Sequence, residues 1–378
     1  MHILTLTPFF PTASNDAAGC FIAEPIAAMQ QGGVKHSVFA VQPFYRSRRR
    51  AGQLGENWIS YVSLPGNIGL PSAGLSLYAR LRTKVEELNR STPVTLLHAH
   101  GALPCGHAAM WLAAQLRVPF VVTVHGLDAY FTRQAGGFVR RQCKRICNDV
   151  YRSARSVICI SEKVRQQVSE GASGQVDTTV IYNSADPELF SPGTTADHRR
   201  TILSVGNLIP IKGHELLIRA IAELPRCFVD VHCEIIGDGP EKAGLERLAQ
   251  ELKISGRVHL LGARNRREVA AAMRRCAVFA LPSRYEGLGC VYLEAMASEK
   301  PAIALRGQAI EEIIQHRTTG WLSDDSDVHS LTESLTQLLG DEQLRKGIGY
   351  GARVSILQRF TVQHQAAALA GLYAECAA

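Results

Sequence analysis

Short apolar runs alternate with helical patterns along both halves of the chain. In the first half, strand-length runs at residues 34–41, 95–100 and 119–124 are separated by segments with helical periodicity. The second half starts afresh at residues 201–206 and repeats the alternation as far as 301–305. Strands that alternate with helices form parallel sheets. The pattern therefore predicts an α/β protein with two open parallel-sheet domains.

A polar segment at residues 187–200, which contains Pro192 and Gly193, separates the two halves. Proline and glycine between periodic segments are typical of loops, and we interpret the segment as the interdomain linker. It divides the chain into an N-terminal domain, 1–190, and a C-terminal domain, 191–360. The total of 378 residues fits two domains at ~150 residues each.

The composition is that of an ordinary globular protein, with 46% apolar and 20% charged residues. No apolar run approaches the ~20 residues that cross a bilayer, and the N-terminus has the pattern of a first strand, not of a signal peptide. The ten cysteines include no Cys-x-x-Cys pair, which argues against a zinc site. These features predict a reduced, cytoplasmic protein.

The net charge of +7 is unevenly distributed. Residues 1–190 contain 19 lysines and arginines against 12 aspartates and glutamates, whereas residues 191–378 contain 22 of each kind. The excess is concentrated in two clusters: Arg46, Arg48, Arg49 and Arg50, and Arg140, Arg141, Lys144 and Arg145. A basic half predicts an anionic partner, either a membrane surface, a phospholipid-linked acceptor or nucleic acid. No basic groove with interleaved aromatic residues is present, which disfavours nucleic acid.

The most informative stretch is residues 281–297, which predict a strand, a glycine-rich loop and the start of a helix. A helix N-terminus that follows such a loop presents backbone N–H groups to a phosphate or to polarised hydroxyls. Glu286 lies in the loop and Glu294 in the helix. Their carboxylates are suited to accept hydrogen bonds from the hydroxyls of a sugar or a ribose.

Further candidates stand where other predicted strands end. His125 follows the strand at 119–124, where ligands collect in open α/β sheets, and His98 and His100 are weaker candidates of the same kind. Asp128 is placed to orient His125 or an acceptor hydroxyl. Lys212, in a strand-to-helix loop, is suited to face a phosphate.

The run Ser-x-x-Glu-Gly-x-Gly, followed by Glu-Ala-Met-Ala, resembles the nucleotide-sugar site of the retaining family-4 glycosyltransferases. The mark of that family is two glutamates separated by seven residues, which is the spacing of Glu286 and Glu294. The segments around Gly19, His125 and Lys212 are also similar to family segments. The resemblance covers most of the chain and is densest from 201 to 321. It implies the GT-B arrangement, in which two Rossmann-like domains face across a cleft and the C-terminal helix, 361–378, packs back on the first domain.

The resemblance also implies roles for individual residues. Glu286 would bind sugar hydroxyls, Glu294 the ribose and Lys212 the diphosphate, while His125 would face the donor sugar. We expect catalytic roles for His125, Lys212 and Glu286, and acceptor-side roles for Asp128, Arg141, Lys144 and Arg145. The expected donor-binding residues are Gly19, Gly206, Asn207, Lys212, Gly237, Gly239, Glu286, Gly287, Leu288, Gly289 and Glu294.

Two positions depart from the family pattern. Asn207 stands where the family commonly has an arginine, which removes one bidentate phosphate clamp. Ser184 stands where glycine is usual.

The expected activity is retaining transfer of a hexosyl group from a nucleotide diphosphate sugar to a saccharide or lipid-linked saccharide, in surface polysaccharide assembly. We expect no metal and no cofactor, and a cytoplasmic enzyme that is peripheral to the inner face of the membrane. A nucleotide-sugar epimerase on the same fold is an alternative. A phosphorylase would need a lysine for pyridoxal phosphate in its own sequence context, which is absent. Asn207 and Ser184 favour a third alternative, a nucleotide-sugar-binding partner subunit with weak catalysis.

Overall fold

Two parallel β-sheets organise the chain, one in each half. The computed structural model of the protein describes residues 1–13, 15–47, 58–126, 136–172, 174–193, 200–324 and 327–378. The chain divides into two compact units, Met1–Tyr182 with Val362–Ala378, and Asn183–Thr361. The predicted pair of parallel-sheet α/β domains is confirmed.

The sheet of the first unit has seven strands in the order β3-β2-β1-β4-β5-β6-β7, all parallel. Its strands are β1 His2–Thr7, β2 Lys35–Pro43, β3 Trp58–Tyr61, β4 Leu96–His100, β5 Phe120–Val124, β6 Ser156–Cys159 and β7 Thr178–Val180. Both faces of such a sheet are covered by helices, and β1, β4 and β5 are accordingly buried at every residue.

Helices connect these strands and pack on both faces. They are α1 Cys20–Gln31, α2 Phe44–Ser47, α3 Leu70–Ser91, α4 His107–Leu116, α5 Gly137–Ser153 and α6 Glu162–Gly171. The last helix of the chain, α13 Val362–Ala377, packs against α1 and β4. Leu369 and Tyr373 of α13 join Ile3 and Ile26 in one buried core, so the C-terminal helix completes the first unit.

The sheet of the second unit has six parallel strands in the order β10-β9-β8-β11-β12-β13. The strands are β8 Thr201–Val205, β9 His232–Ile236, β10 Val258–Gly262, β11 Val278–Ala280, β12 Ala302–Leu305 and β13 Trp321–Ser323. The helices are α7 His214–Ala222, α8 Lys242–Glu251, α9 Arg266–Arg275, α10 Cys290–Ala297, α11 Val328–Gly340 and α12 Glu342–Arg359.

The strand order of the second sheet reverses between β8 and β11. From β8 the chain runs outward to β9 and β10, and from β11 it runs outward to β12 and β13 on the other side. The loops that follow two such neighbouring strands diverge and leave a crevice at the carboxyl end of the sheet, which is the usual ligand site in open α/β folds. The loops concerned are those that carry Lys212 and Glu286.

The segment expected to close the first domain belongs to the second unit. The Ala185 N–H donates to the Phe360 carbonyl (3.0 Å), and Arg274 Nη1 donates to the Leu189 carbonyl (3.2 Å). Phe190 is fully buried. The contacts therefore place the division at Tyr182/Asn183, eight residues before the expected one, because this segment makes its hydrogen bonds and its apolar contacts with the second unit.

Candidate active site

Lys212 lies in the loop that joins β8 to α7. Pro210–Lys212 forms one 3₁₀ turn, and Gly213 then adopts a left-handed conformation (φ 71°) at the start of α7. A Cβ atom at Gly213 would lie 2.0 Å from the Pro282 carbonyl oxygen. Only glycine fits both the conformation and the approach, so this residue lets the Lys212 loop touch the loop after β11.

Hydrogen bonds join the same two loops. Ser283 Oγ donates to the Ile211 carbonyl (3.1 Å) and to the Tyr285 carbonyl (3.0 Å). The Arg284 N–H also donates to the Ile211 carbonyl (2.8 Å). The buried Ser283 therefore fixes the segment before Glu286 against the segment before Lys212.

This arrangement brings Lys212 and Glu286 into an ion pair. Lys212 Nζ donates to Glu286 Oε1, and the two side chains are only 13% and 9% exposed. A buried charge is tolerated when it is paired, and a carboxylate with a second oxygen free of this bond retains capacity to accept from a ligand hydroxyl. The pair thus places one cation beside one carboxylate at the switch point of the sheet, which is the place between β8 and β11 where the strand order reverses.

Behind Glu286 the chain turns into α10. Gly287 and Leu288 are buried, and Gly289 caps the helix with φ 81°. The Tyr292 hydroxyl donates to the Leu281 carbonyl and its ring packs under Gly289, so Tyr292 ties the first turn of α10 to the end of the strand. Burial raises the pKa of the Tyr292 hydroxyl well above its usual value, which keeps it neutral as a donor.

Glu294 lies one turn into α10 and pairs with Arg266, the first residue of α9. Arg266 Nη2 donates to Glu294 Oε1 (3.3 Å), and the side chains are 10% and 12% exposed. Burial raises the pKa of the Glu294 carboxyl to about 7, and Arg266 opposes that shift. Arg266 is not among the site residues expected from the sequence. The one sequence feature that singles it out is its place at the start of a helix, where a basic residue opposes the helix dipole.

The remaining donor-side residues line the carboxyl end of β8 and β9. The Gly206 N–H donates to the Ile236 carbonyl (2.9 Å), and a Cβ atom at Gly237 would lie 1.9 Å from the Gly206 carbonyl oxygen. A Cβ atom at Gly239 would lie 2.4 Å from the Leu208 carbonyl oxygen. These two glycines let the loops after β8 and β9 pack backbone to backbone, and Asn207 is exposed between them.

His125 belongs to the first unit and directly follows β5. Its Nε2 atom lies 3.0 Å from His100 Nδ1, and its ring lies 5.1 Å from the ring of Phe21 and 6.1 Å from that of Phe9. Burial lowers the pKa of His125 to about 4 and that of His100 well below its usual value. Both rings are therefore neutral near pH 7, and one proton is shared between the two facing nitrogens.

His98 extends this cluster into the core. Its Nδ1 atom lies 2.6 Å from the Tyr373 hydroxyl and its Nε2 atom 2.7 Å from Thr123 Oγ1. Burial lowers the pKa of His98 to about 3. With both ring nitrogens bonded inside the core, His98 is a structural residue that links β4, β5 and α13.

Gly19 caps α1 in a left-handed conformation (φ 78°). A Cβ atom there would lie 2.5 Å from the Phe9 carbonyl carbon. The glycine lets the start of α1 pack against the backbone of the loop after β1, at the same end of the sheet as His125.

The predicted acceptor-side cations lie on α5. Arg140, Arg141, Lys144 and Arg145 are all exposed, whereas Cys143, Val150 and Tyr151 are buried. Asp128, Arg48, Arg49 and Arg50 lie outside the described residues. The structure therefore gathers Lys212, Glu286, Glu294 and the glycine loops in the second unit, and His125, Gly19 and the α5 cations in the first.

The family of the chain follows from comparison with known proteins. Residues 21–189 match the family model described as Glycosyltransferase Family 4, and residues 186–355 match the one described as Glycosyl transferases group 1. An uncharacterized glycosyltransferase of Methanocaldococcus jannaschii is 31% identical over 262 residues, which are 68% of this chain and 69% of the relative. The chain belongs to the family-4 glycosyltransferases.

This family-4 glycosyltransferase is also similar to a mannosyltransferase and to a protein of known structure. A GDP-mannose-dependent alpha-(1-6)-phosphatidylinositol monomannoside mannosyltransferase of Mycolicibacterium smegmatis is 29% identical over 62% of this chain and 64% of the relative. The Anabaena protein HepE, solved in complex with UDP-glucose, has a TM-score of 0.75 at 21% identity and covers 99% of this chain and 100% of its own. The expected GT-B glycosyltransferase class is thus confirmed, and the enzyme class is glycosyl transfer.

In the described ranges, histidine, cysteine, aspartate and glutamate side chains do not form any group of three that could hold a metal ion. Nor does any helix within those ranges combine the length and apolar character needed to span a bilayer.

Proposed function

We propose that this chain transfers a hexosyl group, with retention of anomeric configuration, from a nucleotide diphosphate sugar. The observation that carries the proposal is the buried Lys212–Glu286 pair at the switch point of the second sheet. It offers a cation for a diphosphate beside a carboxylate for sugar hydroxyls. Glu294, in the helix after the same loop, is suited to the ribose.

In this mechanism, the donor rearranges the ion pair. Lys212 turns its charge to the diphosphate, and Glu286 then accepts hydrogen bonds from hydroxyls of the sugar. The acceptor hydroxyl attacks the anomeric carbon from the side of the leaving group, the bond from that carbon to the diphosphate oxygen breaks, and a diphosphate oxygen takes the acceptor proton. Positioning and stabilisation of the charge that develops on the leaving group supply the catalysis.

Metal independence is part of the proposal. The Lys212 ammonium would lie beside the diphosphate in place of a metal ion, so that the protein itself neutralises the charge of the leaving group. EDTA should leave turnover unchanged. Activity that is abolished by EDTA and restored by Mg²⁺ or Mn²⁺ would contradict this part of the mechanism without affecting the donor assignment.

His125 is the proposed contact of the first unit with the donor sugar. Its Nε2 atom lies 3.0 Å from His100 Nδ1, and burial lowers its pKa to about 4, which keeps the ring neutral. A neutral imidazole can form a hydrogen bond with a sugar hydroxyl without placing a positive charge beside the transferred sugar.

For the acceptor, we propose a lipid-linked saccharide at the inner face of the cytoplasmic membrane, as in surface polysaccharide assembly. Arg141, Lys144 and Arg145 form one exposed cationic face on α5, and no acidic residue of α5 precedes Asp149. Similarity to the Mycolicibacterium smegmatis enzyme, a phosphatidylinositol monomannoside mannosyltransferase, supports a lipid acceptor.

An apolar rim lies in the same unit. It consists of six exposed side chains: Phe44, Tyr45, Val62, Leu64, Ile68 and Leu75. Val62 and Ile68 are 77% and 69% exposed. Pro43 of β2 pairs with Tyr61 of β3, so the residues that follow them are neighbours at the carboxyl end of the sheet. Exposed apolar clusters of this kind mark partner or membrane contacts.

The donor assignment is tested by mass spectrometry of purified protein incubated with a panel of UDP-, GDP- and ADP-sugars. We expect slow hydrolysis or retention of one nucleotide sugar. Conversion of a nucleotide sugar, without an acceptor, into an isomer of the same mass that separates from it by chromatography would favour the epimerase alternative. Binding without turnover across an acceptor panel would favour a binding subunit, whose sequence support is Asn207 and Ser184.

A further inference from the structure

Arg266 is held between an aromatic ring and a carboxylate. Its guanidinium lies 5.3 Å from the centroid of the buried Phe190 ring and donates to Glu294 Oε1 at 3.3 Å. Phe190 belongs to the segment that follows Asn183, Glu294 belongs to α10, and Arg266 itself begins α9. Three separate parts of the second unit therefore meet at this side chain.

The position is unfavourable for an arginine by local rules. Arg266 is the first residue of α9, where a cation opposes the helix dipole, and it is buried, whereas its neighbours Arg264 and Arg267 are exposed. A buried guanidinium is retained when a carboxylate compensates it. Glu294 is that carboxylate, which makes the pair a built feature of the site.

We propose that Arg266 is a positioning residue that orients the Glu294 carboxylate toward the two hydroxyls of the donor ribose. This inference rests on the proposed function, in which Glu294 is the ribose contact. Arg266 engages Oε1, and a carboxylate has further lone pairs on both oxygens with which to accept from a diol.

The electrostatics of the pair support this role. Burial raises the pKa of the Glu294 carboxyl to about 7, and Arg266 opposes this shift, so that loss of Arg266 would raise the pKa further. Without Arg266, the carboxyl would be protonated at neutral pH. It would then lose the charge that makes its hydrogen bonds to hydroxyls strong.

The test compares nucleoside diphosphates with their 2′,3′-dideoxy counterparts by calorimetry between pH 6 and 9. The variants are Arg266→Ala, Arg266→Lys, Glu294→Gln and, as a matched control one residue along, Arg267→Ala. Arg266→Ala should bind the ribonucleotide about 10- to 100-fold more weakly at pH 7. The affinity for the dideoxy nucleotide should not change. The loss should shrink toward pH 9 as Glu294 ionises, and Arg267→Ala should behave as wild type.

Two further results separate positioning from general support of the fold. In a Glu294→Gln background, Arg266→Ala should have no additional effect on ribonucleotide affinity. Arg266→Lys keeps the positive charge but loses the planar guanidinium group. It should recover the pH profile of wild type and part of the ribonucleotide affinity. This variant replaces Arg266→Ala in the test if Arg266→Ala does not fold.

The outcomes are distinguishable. If Arg266→Ala keeps both the pH profile and the ribose-to-dideoxy affinity ratio of wild type, Arg266 does not position Glu294 and the inference is overturned. If Arg266→Ala does not fold, an undiminished ribose-to-dideoxy affinity ratio in Arg266→Lys overturns it instead. A wild-type protein that binds no nucleoside diphosphate, or binds ribose and dideoxy forms equally, overturns the proposed donor site itself.

Discussion

Lys212 and Glu286 are 74 positions apart in the sequence and form a single buried ion pair between the loops that follow β8 and β11. Neither side chain has another ion-pair partner among the described residues. On our mechanism, the pair supplies the two charges that the donor needs.

The first prediction concerns this pair. Lys212→Met should lower kcat by about 100- to 1000-fold, since it removes the charge that stabilises the leaving group. It should also destabilise the protein by about 3–5 kcal/mol, because Glu286 is left as an uncompensated buried charge. Chemical denaturation and steady-state kinetics measure the two effects.

The matched control is the double variant Lys212→Met/Glu286→Leu. It should recover most of the lost stability, because an apolar pair replaces the buried ions, and it should remain inactive. Glu286→Ala alone should lower kcat more than nucleotide affinity. Recovery of activity together with stability in the double variant would show that the pair is purely structural.

The second prediction concerns Gly213. Gly213→Ala forces a Cβ atom to within 2.0 Å of the Pro282 carbonyl oxygen in a left-handed conformation, so the two loops must separate. We expect the loss of about 2–4 kcal/mol of stability and a fall in kcat. Gly244 in α8 has open space around it, and Gly244→Ala should stabilise by about 0.5–1 kcal/mol. Equal thermal stability of the two variants would contradict the role of Gly213.

Part of this site could be predicted from the sequence. The run from Leu281 to Ala297 carries its own local signature, because a strand, a glycine loop and a helix are read from neighbouring residues. The partners of its two glutamates could not be predicted in the same way. Lys212 and Arg266 reach Glu286 and Glu294 only through the sheet order, which places β8 beside β11 and the start of α9 beside α10.

The domain boundary shows the same limit. The domain division at Tyr182 also depends on hydrogen bonds to Phe360 and Arg274, which are remote in sequence.

The third prediction concerns acid sensitivity. His36 is buried in β2, where neither ring nitrogen has a hydrogen-bond partner among the described residues, and burial lowers its pKa to about 4. The unfolded chain binds a proton below pH 6.5 that the folded chain does not, so stability falls as pH drops from about 6.5 toward 4. His36→Phe should flatten this part of the pH–stability curve and raise stability near pH 7 by about 1 kcal/mol or more. His329→Gln, at an exposed position, should leave the curve unchanged.

The fourth prediction concerns the membrane. The cationic face of α5 and the apolar rim should together hold the protein on vesicles that contain anionic lipid, at ~1 kcal/mol for each basic residue near the surface. Reversal of Arg141, Lys144 and Arg145 to glutamate should lower partition by about 100-fold or more. Leu64→Ser/Ile68→Ser should weaken binding that persists at high salt, because apolar insertion is not screened by ions.

Liposome flotation measures these effects with neutral and anionic vesicles at low and high salt. Reversal of the exposed Arg226, Arg247 and Lys253 of the second unit changes the net charge equally and serves as the control. If only the α5 reversal abolishes flotation, the interaction is local to that helix and not a response to total charge. Equal recovery of wild type and both reversed variants in the unbound fraction would favour a soluble saccharide acceptor.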